Sequence, residues 1–123
     1  MALPQLNVYR HERGTRALIT LAGEIDLATA PLVRTALAEC QSDGIRSIDV
    51  DLTAVTFCDV SGLNTFLLAY RFATEADRTL RLHHPPQSMT RVIEITGSRF
   101  LLHSFPAADV RPRGIPVAAG GTP

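Results

Sequence analysis

The 123-residue sequence lacks the features of a secreted or membrane-spanning protein. It has only two cysteines, Cys40 and Cys58, and no CxxC pair, so we expect reduced thiols in a cytosolic protein rather than a disulfide framework. The first residues, MALPQLNVYR, have no basic region followed by a long apolar run, so no signal peptide is expected. No apolar run approaches the ~20 residues that a membrane helix needs.

An excess of charge of one sign is also missing, because twelve basic residues balance twelve acidic ones. Proteins that bind nucleic acid through its phosphates normally carry a basic excess, so that class of partner is not expected. What the sequence does have is 46% hydrophobic residues, enough for one globular domain. A chain of this length buries roughly two-thirds of its unfolded surface and needs no staple. We predict a cytoplasmic monomer or weak homodimer.

Apolar periodicity predicts strands that alternate with helices. The predicted strands are 6–10, 16–23, 45–52, 77–84 and 99–105, and the predicted helices are 29–41, 62–76 and 87–97. Right-handed βαβ crossovers make neighbouring strands parallel, while the opening hairpin adds an antiparallel edge. The predicted fold class is therefore α/β, a small mixed sheet of about four to five strands with helices mainly on one face. Residues 1–105 would form this domain, and 106–123, rich in Pro, Gly and Ala, a disordered tail.

Each predicted helix has an apolar stripe and recognisable end signals. Thr29 is expected to cap the first helix, with Pro31 in its first turn, and Gly97 to end the third. The expected stripes are Leu32, Ala36, Leu37 and Cys40 in the first helix, Leu63, Phe66, Leu67 and Tyr70 in the second, and Met89, Val92, Ile93 and Ile95 in the third.

The segment DLTAVTFCDVSGLNTFLLAY, residues 51–70, joins an apolar strand-like run ending at Phe57 to the second helix. Cys58, Asp59 and Ser61 stand at this junction, where they could serve as a catalytic nucleophile, a phosphate site or a helix cap. A catalytic thiolate needs a nearby histidine. None of the four histidines, His11, His83, His84 and His103, lies in a recognisable motif. Because a free Cys after an apolar strand is commonly a small buried hydrophobe, no catalytic residue is expected.

Hydrolase and metal sites are also not expected. Ser61 does not lie in a G-x-S-x-G motif, since Asp59 and Leu63 occupy the glycine positions. His83 and His84 are adjacent, so on a strand they would point to opposite faces, and no second pair has a zinc spacing. We predict no metal and no cofactor.

The cap and the phosphate site remain open at this stage. Asp59 or Ser61 can accept hydrogen bonds from the first N–H groups of the second helix. The same helix N-terminus favours anions, so a phosphate on Ser61 would be tolerated there, although Asp59 would repel it.

Three blocks of the sequence resemble the STAS domain family, as found in anti-sigma factor antagonists. The resemblance spans roughly 6–105 and agrees with the predicted fold. The first block, Asp-Leu-Ser/Thr with an aliphatic residue and Phe before Asp-Ser-Ser/Thr-Gly-Leu, is matched at Asp51, Leu52, Thr53, Val55, Phe57, Asp59, Ser61, Gly62 and Leu63. The second, Gly-Glu-Leu/Ile-Asp, is matched at Gly23, Glu24, Ile25 and Asp26. The third is similar to VIEITGSRFLL, with Thr96 and Gly97 closing a helix.

The resemblance implies a non-enzymatic protein that binds an anti-sigma factor of the histidine-kinase-like ATPase fold and so releases a sigma factor. The alternative is a STAS accessory subunit of a larger assembly, such as a transport ATPase or a stress-signalling scaffold. The partner surface it implies consists of Gly23, Glu24, Asp26, Asp59, Val60, Ser61, Gly62, Leu63 and Asn64. In phosphorylation-regulated members the acceptor is the first hydroxyl residue after the Asp. Here that position is Val60, which leaves Ser61 as the hydroxyl available for phosphorylation.

Overall fold

The computed structural model describes residues 5–102. The strands are β1 (Leu6–Arg13), β2 (Arg16–Ile25), β3 (Ser47–Cys58) and β4 (Thr79–His83). The helices are α1 (Ala30–Ser42), α2 (Val60–Glu75) and α3 (Gln87–Thr96), and a 3₁₀ helix covers Arg99–Leu102. The predicted helices and the first four predicted strands are confirmed, with ends shifted by no more than three residues, except that β3 ends six residues later than predicted. The predicted tail, 106–123, lies outside the described residues.

The four strands form one mixed sheet in the order β1-β2-β3-β4. The β1–β2 hairpin is antiparallel, and β3 is parallel to both β2 and β4. Alternate residues of the strands, such as Ile19, Leu21 and Val50, join the buried side chains of all three helices in one core. On the opposite face Leu18 is exposed and Asp49 is half-buried. The helices therefore cover one face of the sheet, as predicted.

The α2 stripe is confirmed, and the other two stripes are corrected in part. Phe66 and Leu63 are buried, and Leu67 and Tyr70 pack at the edge of the core. In α1 the buried residues are Ala30, Val33, Leu37 and Cys40, whereas Leu32 is exposed. In α3, Met89 and Ile93 are buried but Ile95 is 84% exposed. Gly97 does end α3, with φ of 72°.

The predicted strand at 99–105 is wrong for the part that the structure describes. The amide of Leu101 donates to the carbonyl of Ser98 (3.1 Å), which closes a tight turn. Leu101 enters the core, and the ring of Phe100 lies 4.8 Å from that of Tyr70. The apolar residues Phe100, Leu101 and Leu102 are consecutive, so they show neither a strand period nor a helix period. The contact of Phe100 with α2 and the burial of Leu101 in the core therefore favour the 3₁₀ helix. No helix within 5–102 is long and apolar enough to span a membrane.

Candidate functional site: the shared edge of β2 and β3

The carboxyl ends of β2 and β3 meet at one edge of the sheet. Ile25 pairs with Cys58 in the last register position of the two parallel strands. The amide of Asp59 then donates to the carbonyl of Ile25 (3.1 Å). The Gly23–Asp26 segment, predicted to be a loop, consists of the last three residues of β2 and the first residue after it. This segment and the start of α2 are adjacent, because parallel strands end at the same edge of a sheet.

Asp59 caps α2, which confirms one of the two cap candidates. Its Oδ1 accepts a hydrogen bond from the amide of Gly62 (3.1 Å), while its backbone is extended. Its carbonyl accepts the first intrahelical bond, from the amide of Leu63 (3.0 Å). Ser61 lies inside the first turn, half-buried, and its carbonyl accepts a bond from the hydroxyl of Thr65 (3.1 Å).

Gly62 lets the first turn of α2 rest directly on the ends of the two strands. A Cβ at this position would lie 2.6 Å from Cys58 Sγ and 2.6 Å from Ile25 Cγ2. Gly62 and Leu63 are buried, so neither presents a side chain at the surface. Both were predicted to belong to the partner surface. In the structure they pack inside the domain, where they hold the exposed residues next to them in position.

The loop after β2 is held by its own side chains. Oδ1 of Asp26 accepts bonds from the amides of Ala28 (2.9 Å) and Thr29 (3.0 Å). The hydroxyl of Thr29 donates to the carbonyl of Glu24 (2.8 Å) and accepts from the amide of Asp26 (2.9 Å). Thr29 occupies the N-cap position of α1 but makes no side-chain cap bond, so the predicted cap is wrong in its contacts. Its hydroxyl closes the loop instead.

Gly23 is fixed by close approach of the N-terminal segment. Its φ is 127°, and a Cβ would lie 2.0 Å from the carbonyl oxygen of Gln5. That oxygen accepts a bond from the amide of Glu24 (2.8 Å). Because Gly23 has no Cβ, Gln5, the residue before β1, can approach closely and bond to Glu24 at the shared edge.

The exposed part of the edge is acidic and apolar. Glu24 and Asn64 are exposed, and Val60, at the first position of α2, is 65% exposed. Two further exposed apolar residues lie at this edge, Leu27 and Phe57, and neither belongs to the partner surface predicted from the sequence. Phe57 pairs in register with Glu24. Neither 17–33 nor 47–70 contains an arginine or lysine, so the edge has carboxylates without neighbouring cations in these segments. The signal that could have revealed these two residues is their place in the sequence: Leu27 directly follows Asp26, and Phe57 lies two residues before Asp59.

Cys58 is unsuited to catalysis. It is buried, and burial, together with the nearby charge of Asp59, raises the pKa of its thiol to about 12. The thiolate, which is the nucleophile, is therefore almost absent at neutral pH. Within the described residues, the one hydrogen bond of its Sγ is donated to the carbonyl of Asp59 (3.6 Å).

The described histidines do not form a site with Cys58. Nε2 of His83 lies 2.8 Å from Oδ1 of Asp49 on the sheet face that the helices leave open. Burial raises the pKa of Asp49, but the bond to His83 and the charges of His83, Arg81 and Arg16 outweigh it, so the pKa is lowered.

His84 corrects a sequence prediction. It lies past the end of β4 with φ of 56°, so strand alternation does not apply, and its ring centroid is 6.4 Å from that of His83. No three metal-ligating side chains cluster within 5–102. His103 lies outside the described residues.

Comparison with known proteins decides the family. The family model described as Mlab, STAS domain, matches residues 10–102. The chain belongs to the STAS domain family. An anti-sigma-B factor antagonist of Staphylococcus aureus (strain NCTC 8325 / PS 47) is 31% identical to this STAS domain over 92 residues, 75% of this chain and 85% of that protein. The resemblance inferred from the three sequence blocks is thus confirmed.

Solved structures agree on the fold. A crystal structure of an anti-sigma factor antagonist from Mycobacterium paratuberculosis superposes with a TM-score of 0.73 at 22% identity, covering 89% of this chain and 93% of that one. The anti-sigma factor antagonist SpoIIAA in its unphosphorylated form gives 0.69 at 17% identity, covering 78% and 85%. The predicted α/β class and mixed sheet are those of STAS domains.

Proposed function

We propose that this STAS domain is an anti-sigma factor antagonist that acts by binding and carries out no catalysis. Its partner would be an anti-sigma factor of the histidine-kinase-like ATPase fold, bound in the bacterial cytoplasm so that a sigma factor is released. Support for the general function comes from the 31% identical anti-sigma-B factor antagonist. Support for the location of the interface comes from the shared edge, where the Asp59 cap and the Gly23–Asp26 segment at the end of β2 are joined by the bond from Asp59 to Ile25.

The observation that carries the proposed regulation is the exposed Val60 at the first position of α2. The STAS resemblance implies a phosphate acceptor at this position, and valine has no hydroxyl. A phosphate on Ser61 would meet the Asp59 carboxylate, which already accepts the amide of Gly62. Since neighbouring like charges repel, Ser61 is a poor replacement acceptor. We therefore propose a binder that remains active in the presence of its kinase.

Adding negative charge at Ser61 tests whether the edge is the interface. We expect Ser61→Asp to weaken binding to the purified kinase-like anti-sigma factor by about tenfold or more, since a buried unpaired charge at an interface costs well over 1 kcal/mol. The variant should still fold, because a carboxylate in the first turn of a helix favours the helix by about 0.3–1 kcal/mol. Titration calorimetry would measure the affinity.

Ser61→Asn is the matched control, since asparagine has the shape of aspartate without its charge. It should bind within about threefold of the native chain, a difference of less than 1 kcal/mol. If Ser61→Asp also binds like the native chain, the edge is not the docking surface. If the native chain captures a transport ATPase subunit or a scaffold instead of an anti-sigma factor, the alternative of an accessory STAS subunit is correct.

A further inference from the structure

A groove of about 290 Å³ lies between α1 and α2, outside the shared edge. The α1 side consists of Arg34, Leu37, Ala38 and Gln41, and the α2 side of Thr65, Leu68, Ala69 and Phe72. It begins one turn after Ser61 and contains no residue of the proposed partner surface. Binding of a ligand in the groove is therefore independent of the proposed function.

Small side chains form the floor of this groove, and large exposed ones form its wall. Ala38, Thr65 and Ala69 line the groove between the helices, together with the buried Leu37. Leu68 is 49% exposed and Phe72 is 68% exposed, although both are large and apolar. They are four residues apart on α2, so they form one ridge along the groove. Neighbouring exposed apolar side chains that line a concave surface are typical of a binding site for another chain.

The charged side chains that line the groove and an adjoining depression are arginines. Arg34 lines the groove near the start of α1. At the other end, Arg78 lines an adjoining depression that shares Ala38, Gln41 and Phe72 with the groove. Nη1 of Arg78 donates to the carbonyl of Gln41 (2.6 Å), which fixes the guanidinium there. No carboxylate belongs to the lining of either depression within residues 5–102.

Acidic residues do occur nearby, but they lie outside the lining. Glu75 follows Phe72 by three residues and Asp77 precedes Arg78, and both are exposed. The groove itself therefore presents apolar side chains between two arginines.

We propose that this groove binds an acidic amphipathic helix of a partner protein. Apolar residues at helical spacing would pack between Leu68, Phe72 and the small residues of the floor. Carboxylates near the two ends of that helix would pair with Arg34 and Arg78, and such complementary charge selects partners and their orientation.

Charge disfavours the two other ways of covering the groove. A second copy docked groove to groove would bring the same two arginines against the first pair. The segment 103–123 has Arg111 and Arg113 but only one acidic side chain, Asp109. The excess of positive charge in both cases leaves a separate acidic partner as the better match.

Three synthetic helical peptides with identical leucine spacing would test the proposal, with Glu, Gln or Lys at the polar positions. Each would be titrated into the isotopically labelled full chain, and the amide resonances followed by NMR. The Leu/Glu peptide should shift the amides of 34–41 and 65–72. It should bind at least about tenfold more tightly than the Leu/Lys peptide, since like-charge contacts disfavour the wrong partner.

Substitutions on α1 and α2 are matched with controls on α3. Arg34→Glu and Phe72→Ser should each weaken binding of the Leu/Glu peptide by about tenfold, because the first places like charges together at one end of the groove and the second removes an apolar contact along it. Arg91→Glu and Ile95→Ser likewise replace an arginine and a large apolar residue, but at exposed positions of α3, and should leave binding unchanged.

Several results would overturn the proposal. One is no binding of the Leu/Glu peptide at millimolar concentration, and another is equal binding of all three peptides or shifts that map outside the groove. If the groove amides of the free chain shift with protein concentration, a second copy covers the groove. If Phe72→Ser shifts the resonances of 103–123, that segment covers it. Either of these last two findings contradicts an acidic partner.

Discussion

Replacement of Phe66 by alanine is expected to lower the free energy of unfolding by roughly 3–5 kcal/mol. The ring is 0% exposed and belongs to the core that joins α2 to the sheet. Removing it loses the transfer free energy of the ring and leaves a cavity that the packed strands cannot fill. Because small domains are stable by only about 5–15 kcal/mol, the variant should unfold at much lower denaturant concentration.

Phe72→Ala is the matched control for this prediction. It removes the same side chain from the same helix, but Phe72 is 68% exposed. The expected change is within about 0.5 kcal/mol, as for most surface substitutions. Denaturation in urea, followed by circular dichroism, would measure both variants. A loss below about 1 kcal/mol for Phe66→Ala would mean that α2 packs on the sheet by a different face.

Gly62→Ala is expected to destabilise the domain by about 1–3 kcal/mol, the usual cost of overpacking a core. The new Cβ would lie 2.6 Å from both Cys58 Sγ and Ile25 Cγ2, which are buried at the ends of β3 and β2. Without these contacts the sign would be opposite, since alanine is favoured over glycine in a helix by up to about 1 kcal/mol. The direction of the effect therefore reports directly on the close approach of α2 to the strand ends.

Ser61→Ala controls for the introduction of alanine in the same turn. Ser61 is half-buried, and we expect a change within about 0.5 kcal/mol. Thermal unfolding would compare the two variants. Should Gly62→Ala prove as stable as the native domain, or more stable, the first turn of α2 does not rest on Ile25 and Cys58, and the geometry of the shared edge is wrong.

The order of the elements follows from local patterns in the sequence, whereas the angle of each helix about its axis does not. In α1, both Leu32 and Val33 lie at helical spacing from later apolar residues. The turn held by Asp26 and Thr29 fixes where α1 starts, and this rotation buries Val33 and exposes Leu32. Contacts that span several elements decide such choices, and a single helical pattern cannot contain them.

The end of β3 shows a second limit of sequence prediction. Its buried residues are spaced by two up to Leu52 and then by three, at Val55 and Cys58. The register with β2 shifts twice in this stretch, each time with one extra residue in β3. These bulges are set by pairing with β2, so alternation along β3 does not reveal them. They also determine that Phe57 is exposed while Cys58 is buried.

The candidate site was predictable to the extent that it depends on residue types and topology. Asp59 as a cap follows from its position before a helical pattern, and parallel strands bring Asp26 to the same edge. The role of Gly62 was not predictable, because it depends on the close approach of Ile25 from another strand. The role of Thr29 was not predictable either, because its bond to the carbonyl of Glu24 depends on the path of the loop between them.

In the function that we propose, the shared edge binds an anti-sigma factor whose kinase activity cannot release it. The most direct measurement is the affinity of the native chain for that anti-sigma factor before and after incubation with ATP, with intact mass recorded in parallel. We expect no added phosphate and an affinity unchanged within about twofold, a difference of less than 0.5 kcal/mol. Val60→Ser should gain one phosphate and lose binding under the same conditions. Strong phosphorylation of native Ser61 with loss of binding would contradict the account.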